Sequence, residues 1–195
     1  VSESDLKTTK VLFTSSKNDI KKCNTYIVTV TITDSGALTA SQTITITVIN
    51  INDNPPFITL NNGASTASIN ITENTSVVTT VISTDLDTGD NATYSISGED
   101  VNAFSINAST GLLTFTTAPN FETPTDSDAN NTYIVIVTVT DGGSLTDTQT
   151  LTVTVTNVNE APEITSNGAG STSSISFDEN NTSPITTITS SDVDT

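Results

Sequence analysis

The chain has 195 residues, of which 22 are acidic, 5 are lysine and none is histidine, giving a formal net charge of −17. All the lysines (Lys7, Lys10, Lys17, Lys21 and Lys22) precede Cys23, so no basic patch is available to bind nucleic-acid phosphates. Without histidine there is no Ser-His-Asp or Cys-His catalytic set, and a lone cysteine makes neither an internal disulfide nor a four-cysteine metal site.

Apolar residues make up 33% of the chain, mostly Val and Ile interleaved with Thr, which are strand formers. With Met and Trp absent, this composition predicts an all-β protein. No apolar run reaches the roughly 18 residues of a membrane-spanning helix, and no signal peptide is visible. The chain opens on Val1 rather than Met, which reads as a fragment.

Taken in order, YIVTVTITD (26–34) is a long strand closed by Asp34, and SQTITITV (41–48) is a second. Shorter strands follow around 69–72, 77–83, 92–97, 104–106 and 112–117. In the next long strand Tyr133, Val135, Val137 and Val139 share one face, with Ile134, Ile136, Thr138 and Thr140 on the other. Leu151, Val153 and Val155 alternate with Thr150, Thr152 and Thr154 in the last. Turn signals separate these strands at Gly89-Asp90-Asn91, Gly98-Glu99-Asp100, 107–111 and Asp141-Gly142-Gly143. Pro55-Pro56 and Pro162 mark boundaries that a strand does not run through.

The sequence repeats with an offset of 107: YIVTVTITD at 26 returns as YIVIVTVTD at 133. SQTITITVININDNPPFIT (41–59) returns as TQTLTVTVTNVNEAPEIT with one residue of slippage, and STDLDT (83–88) returns as SSDVDT (190–195). The phase predicts the late part of one repeat over 1–56, a complete repeat over 57–160, and the early part of another over 161–195. A unit of this size suits a β-sandwich of about 100 residues. A β-solenoid would repeat at a far shorter period. The two partial repeats cannot close a core alone and are expected to be less ordered unless they are complemented.

Acidic and amide side chains gather at the boundaries and strand ends. They are Asn52-Asp53-Asn54, Asn157, Asn159 and Glu160, the D-x-D pairs Asp85/Asp87 and Asp192/Asp194, Glu73 and Glu179 before Asn, Asp34 and Asp141 after long strands, and the N-x-E of Asn120 and Glu122. Ca²⁺ takes 6–8 oxygen ligands of these kinds. An extended D-x-D would point both carboxylates the same way. Asp and Asn are also ordinary turn residues, but their coincidence with the repeat boundaries favours the cation.

Asn50-Ile-Asn-Asp-Asn-Pro-Pro-Phe57 closely resembles the D-x-N-D-N-x-P-x-F linker of cadherin repeats, with Asn50 in place of the first Asp. Glu73-Asn74, Asp85-Leu-Asp87, Asn91-Ala92, Phe104-Ser-Ile-Asn-Ala-Ser-Thr-Gly111 and the 133–141 strand with its terminal Asp resemble further marks of that family, in order. The idiom TDGGSLTDTQTLTVTVTNVNEAP resembles the cadherin-like repeats of large bacterial surface adhesins more than animal cadherins.

The resemblance implies tandem Greek-key, seven-stranded β-sandwiches with Ca²⁺ at their junctions. At the first junction it implies ligands Asn52, Asp53, Asn54, Asp85, Asp87, Asp141 and the carbonyl of Asn91. At the second it implies Glu73, Glu122, Asn159, Glu160, Asp192 and Asp194. The family's D-x-E is here Asn120-Phe-Glu122, and Ala161 has only its carbonyl to offer. No D-x-E precedes Tyr26, where a lysine-rich segment stands instead, so fewer ions are expected at the first junction.

Asp126 and Asp128, with Asn130 and Asn131, are either a further cation site or a solvated loop. The expected function is not enzymatic: an extracellular, cell-surface stretch of repeats stiffened by Ca²⁺ for adhesion. Its expected partners are like repeats on another molecule, in homophilic adhesion, or a surface polysaccharide. A passive spacer stalk is the other alternative.

Overall fold

The computed structural model describes residues 24–194. The lysines, Cys23 and the missing D-x-E of the first repeat lie outside the described residues, as does Thr195.

Two long strands, β1 (Asn24–Thr33) and β2 (Thr39–Val48), form an antiparallel hairpin in which Tyr26 pairs with Ile46 and Val28 with Ile44. Asp34 closes it, its Oδ1 accepting the N–H groups of Gly36 and Leu38 at 2.9 and 2.8 Å. This is the turn chemistry expected of Asp after a strand.

The central sandwich follows. One sheet has the order β4 (Thr66–Thr72), β11 (Thr146–Thr156), β10 (Thr132–Thr140), β7 (Thr93–Ser97). The facing sheet is β5 (Val77–Thr80), β9 (Leu112–Phe115), β8 (Phe104–Ile106). β8–β9 and β10–β11 are hairpins within one layer, the chain changes layer from β4 to β5, from β7 to β8 and from β9 to β10, and β4 lies parallel to the last strand, β11, pairing Ala67 with Leu151 and Ile71 with Val155. All seven expected strands are present. The expected 77–83 strand breaks in two, because β5 ends at Thr80 and β6 (Ser83–Thr84) turns away to pair with β3 (Phe57–Ile58).

The predicted alternation places the core. Tyr133, Val135, Val137, Val139, Leu151, Val153 and Val155 are all at most 1% exposed, and they meet Val81, Leu113, Phe104 and Phe115 of the opposite layer. Each such burial stabilises the fold by about 1.5–3 kcal/mol relative to exposure. Tyr133 stacks edge-on against Phe115 and Phe104, with ring centroids 5.0 and 5.9 Å away. Its buried hydroxyl accepts the Thr125 N–H at 3.1 Å. The Gly111 backbone (φ +70°) lies so close to Val81 that a Cβ would stand 2.2 Å from the Val81 carbonyl oxygen. Glycine is therefore required there.

After the sandwich, β12 (Glu163–Ile164) pairs with β13 (Ser190–Ser191), as β3 pairs with β6 one repeat earlier. Residues 165–189 contain turns and no strand.

Candidate functional site

Two carboxylate groups sit at opposite ends of the four-stranded sheet. Asp141 follows β10 at one end, and Glu73 follows β4 at the other, where Thr72 pairs with Thr156. The length of β11 puts the groups on the order of 30–40 Å apart.

At the first end, carboxylate oxygens of Asp85, Asp90 and Asp141 lie within 4.8 Å of one another. They line a cavity of about 100 Å³ with Pro56, Ser83 and Ala92. Backbone geometry sets their aim. Asp141 Oδ1 accepts the Leu145 N–H at 2.7 Å, closing the β10–β11 turn, which leaves Oδ2 buried without a donor. Asp85 Oδ1 accepts the Asp87 N–H at 2.7 Å and leaves its Oδ2 likewise. Asp90 Oδ1 accepts the N–H groups of Gly142 and Asn91 at 2.8 and 2.9 Å, and its Oδ2 accepts Nδ2 of Asn52. Asn52 Oδ1 is buried without a donor.

Asp87 does different work from Asp85. It accepts the N–H groups of Asp53 and Asn54 at 3.0 and 2.8 Å, and Asn54 Nδ2 on both its oxygens. The Asn54 main-chain N–H holds its carboxyl below the usual carboxylate range. Burial acts against this, and the Asn54 side chain and the Asp53 N–H add to the lowering. Asp85 caps the amide two residues on, and the segment bends at 86–87 instead of extending. Asp192 and Asp194 repeat this turn, with Asp194 N–H on Asp192 Oδ1 at 3.0 Å.

At the second end, Glu73, Glu122 and Glu160 bring carboxylate oxygens within 4.8 Å of one another. Glu73, 2% exposed, accepts Val158 N–H on Oε1 at 2.9 Å and Phe121 N–H on Oε2 at 3.0 Å. Both Glu122 oxygens, Glu160 Oε2 and Asp194 Oδ1 are buried without donors. Asp194 Oδ2 accepts the Glu160 N–H at 2.6 Å, which draws the next repeat onto the group. Burial first, then the charges of Glu73, Asp194 and Glu122, push the Glu160 carboxyl above its ordinary range.

Of the expected site residues, the fold thus collects Asp85 and Asp141 with Asn52 nearby, and Glu73, Glu122 and Glu160 with Asp194. Asp53 and Asn54 bind Asp87 instead. Asn91 is exposed, and its N–H donates to Asp90 Oδ1 at 2.9 Å. Asn159 is exposed, with Nδ2 on the Glu160 carbonyl at 2.8 Å, and Asp192 is exposed. Asp90, a turn residue by its Gly89-Asp90-Asn91 setting, joins the first group as the third acid of D-x-D-x-x-D, which is its signal in the sequence.

These oxygens suit a hard cation. Seven of the nine buried side-chain oxygens without a donor among the described residues belong to the two ends. A spread of 4.8 Å fits within twice a Ca²⁺–oxygen bond of about 2.3–2.6 Å. No Lys or Arg follows Lys22, so no described side chain brings positive charge to them. The 126–131 loop differs. Asp126 is satisfied by the N–H groups of Asn130 and Asn131 at 2.7 and 3.3 Å, and Asp128 by Asn130 Nδ2 at 2.6 Å, as in a self-capped turn.

Residues 67–156 match the family profile of the Cadherin domain. That unit is similar to cadherin domains. The chain is 33% identical over 133 residues to the Drosophila melanogaster Fat-like cadherin-related tumor suppressor homolog, an alignment covering 65% of this chain and 3% of that protein. It is similar to the crystal structure of the protocadherin gamma-B4 extracellular domain, at 26% identity and TM-score 0.59, covering 75% of this chain and 23% of that one. It is similar also to mouse cadherin-23 EC22-24, at 27% identity and TM-score 0.55, covering 72% and 44%. The all-β sandwich is thus the cadherin fold, and cadherin domains are adhesion modules, not enzymes. These relatives are animal proteins, so the expected nearness to bacterial adhesins is unsupported. That idiom rested on Thr-rich strands and Asp-Gly turns, which any exposed sheet favours. Among the described residues no helix is long and apolar enough to cross a membrane.

Proposed function

We propose that the chain is a stretch of extracellular cadherin repeats at a cell surface, binding Ca²⁺ at its junctions and serving homophilic adhesion. It divides into the end of one repeat with its linker (1–56), a complete repeat (57–160) and the start of another (161–195). The observation that carries this reading is the set of buried, donor-less oxygens at the two ends of one sandwich. Asn52, Asp53, Asn54, Asp85, Asp87, Asp90, Asp141 and the Asn91 carbonyl would hold ions at the first junction. Glu73, Glu122, Asn159, Glu160, Asp192 and Asp194 would do so at the second.

Bound Ca²⁺ supplies neutralisation of converging carboxylates. The chain's own part is to aim them. Asp141 and Asp85 each fix one oxygen on a backbone N–H and present the other. Glu73 uses both oxygens to pin 121 and 158, which brings Glu122 and Glu160 together. An ion bound only by the ordered arrangement stabilises it by linkage and stiffens the junction.

The comparisons give no support to a polysaccharide partner.

The test is a Ca²⁺ titration followed by thermal melting and small-angle scattering. A melting temperature that rises with Ca²⁺ and falls with chelator is expected, with a longer, stiffer particle in Ca²⁺. No change in either sinks the calcium reading. Ca²⁺-dependent aggregation of beads coated with this chain tests the homophilic mode, and beads that stay dispersed refute it.

A further inference from the structure

The hydrogen bonds of the two linkers locate where the chain bends. β2 ends at Val48. From Asn52 onward, the first linker is tied to the sandwich that follows. Asp53 and Asn54 donate main-chain N–H groups to Asp87 at 3.0 and 2.8 Å, Asn54 Nδ2 reaches both Asp87 oxygens at 3.1 and 3.3 Å, and Asn52 Nδ2 donates to Asp90. Asp90 is itself fastened to the β10–β11 turn by the Gly142 N–H at 2.8 Å. The Asn52 side chain lies over Gly143, where an added Cβ would stand 2.9 Å from its Cγ. Only residues 49–51 lie between the end of β2 and this clamp.

The second linker is fastened from both sides. Val158 N–H donates to Glu73 of the sandwich behind it at 2.9 Å, and Glu160 N–H donates to Asp194 of the repeat ahead at 2.6 Å. Only Asn159 lies between those two anchored amides. Every one of these bonds joins two groups of the chain.

We infer that the first linker is built into the repeat that follows it independently of any cation, and that bending is confined to residues 49–51 at the first junction and to Asn159 at the second. Three residues carry six soft torsions and one carries two, so the first junction is the looser of the pair. A charged acceptor shared by several N–H donors holds them strongly. Asp87 is accordingly a positioning residue for the linker, apart from any part it takes in holding an ion.

The experiment is residue-resolved amide hydrogen exchange by NMR on the whole chain in excess chelator. The amides of Asp53, Asn54, Val158 and Glu160 are expected to exchange at least about tenfold more slowly than those of 49–51 and Asn159. In Asp87→Ala, protection at Asp53 and Asn54 should vanish while Glu160 keeps its own, and the β10–β11 core amides report that the sandwich is folded. Uniform exchange across 49–54 in the parent chain overturns the inference. So does protection at Asp53 and Asn54 that survives Asp87→Ala. Because no cation is present in either arm, the result stands or falls separately from the calcium reading.

Discussion

The main-chain N–H of Asp53 donates to Oδ2 of Asp87 at 3.0 Å, and 107 residues later the N–H of Glu160 donates to Oδ2 of Asp194 at 2.6 Å. The linker side chain has changed from Asp to Glu, and the bond persists because it uses the backbone. The second Asp of each D-x-D is thus the receptor for its linker. It needs a carboxylate there, whereas the linker position needs only an amide hydrogen.

Replacing Glu122 by Gln should act with opposite signs in two buffers. In chelator it removes one charge from the group formed with Glu73 and Glu160, so the melting temperature should rise. In Ca²⁺ it removes a charged ligand, so affinity at that junction should fall by roughly tenfold or more. Paired melting and calorimetric titration decide it, and a change of the same sign in both refutes the arrangement.

Acid should release cation from the second junction before the first. Glu160 is held above its ordinary range by burial and its acidic neighbours, so a proton competes there at higher pH. Asp87 is held below its range by the Asn54 N–H and stays ionised longer. The signs differ for the cation-free fold too. The raised Glu160 makes its charged form unfavourable, and that cost is relieved as pH falls through its folded pKa. The stabilisation from the lowered Asp87 is complete above its unfolded pKa and lost as pH falls through its folded one. NMR-monitored Ca²⁺ titrations at stepped pH should show the 160 region losing response first.

Gly111→Ala should destabilise the sandwich by about 1–3 kcal/mol or more, since alanine meets both a positive φ and the Val81 carbonyl. Urea denaturation measures it, and an unchanged midpoint contradicts the packing described.

The two faces of β8–β10 elements should respond very differently. Phe115→Ala, which empties the ring cluster with Phe104 and Tyr133, should cost about 3–5 kcal/mol. Ile134→Ser on the outer face, at a position 38% exposed, should stay within about 0.5 kcal/mol. Equal losses in the same denaturation assay would mean the inward face is misassigned.

The strands and their faces are legible in the order of residues alone. Alternation with period 2 is a local property, and one buried side suffices to read it, as Tyr133, Val135, Val137 and Val139 show. The repeat and the placing of acids at repeat boundaries are legible there too, because these are patterns along the chain. Which acids converge depends on folding. Asp90 joins Asp85 and Asp141 because a loop and a turn distant in sequence meet at one end of the sheet. Asp87, two residues from Asp85, faces the linker instead, because the Asp85 cap bends the segment between them. A carboxylate's role depends on which N–H groups have already claimed its oxygens, and those donors come from elements that only folding brings together.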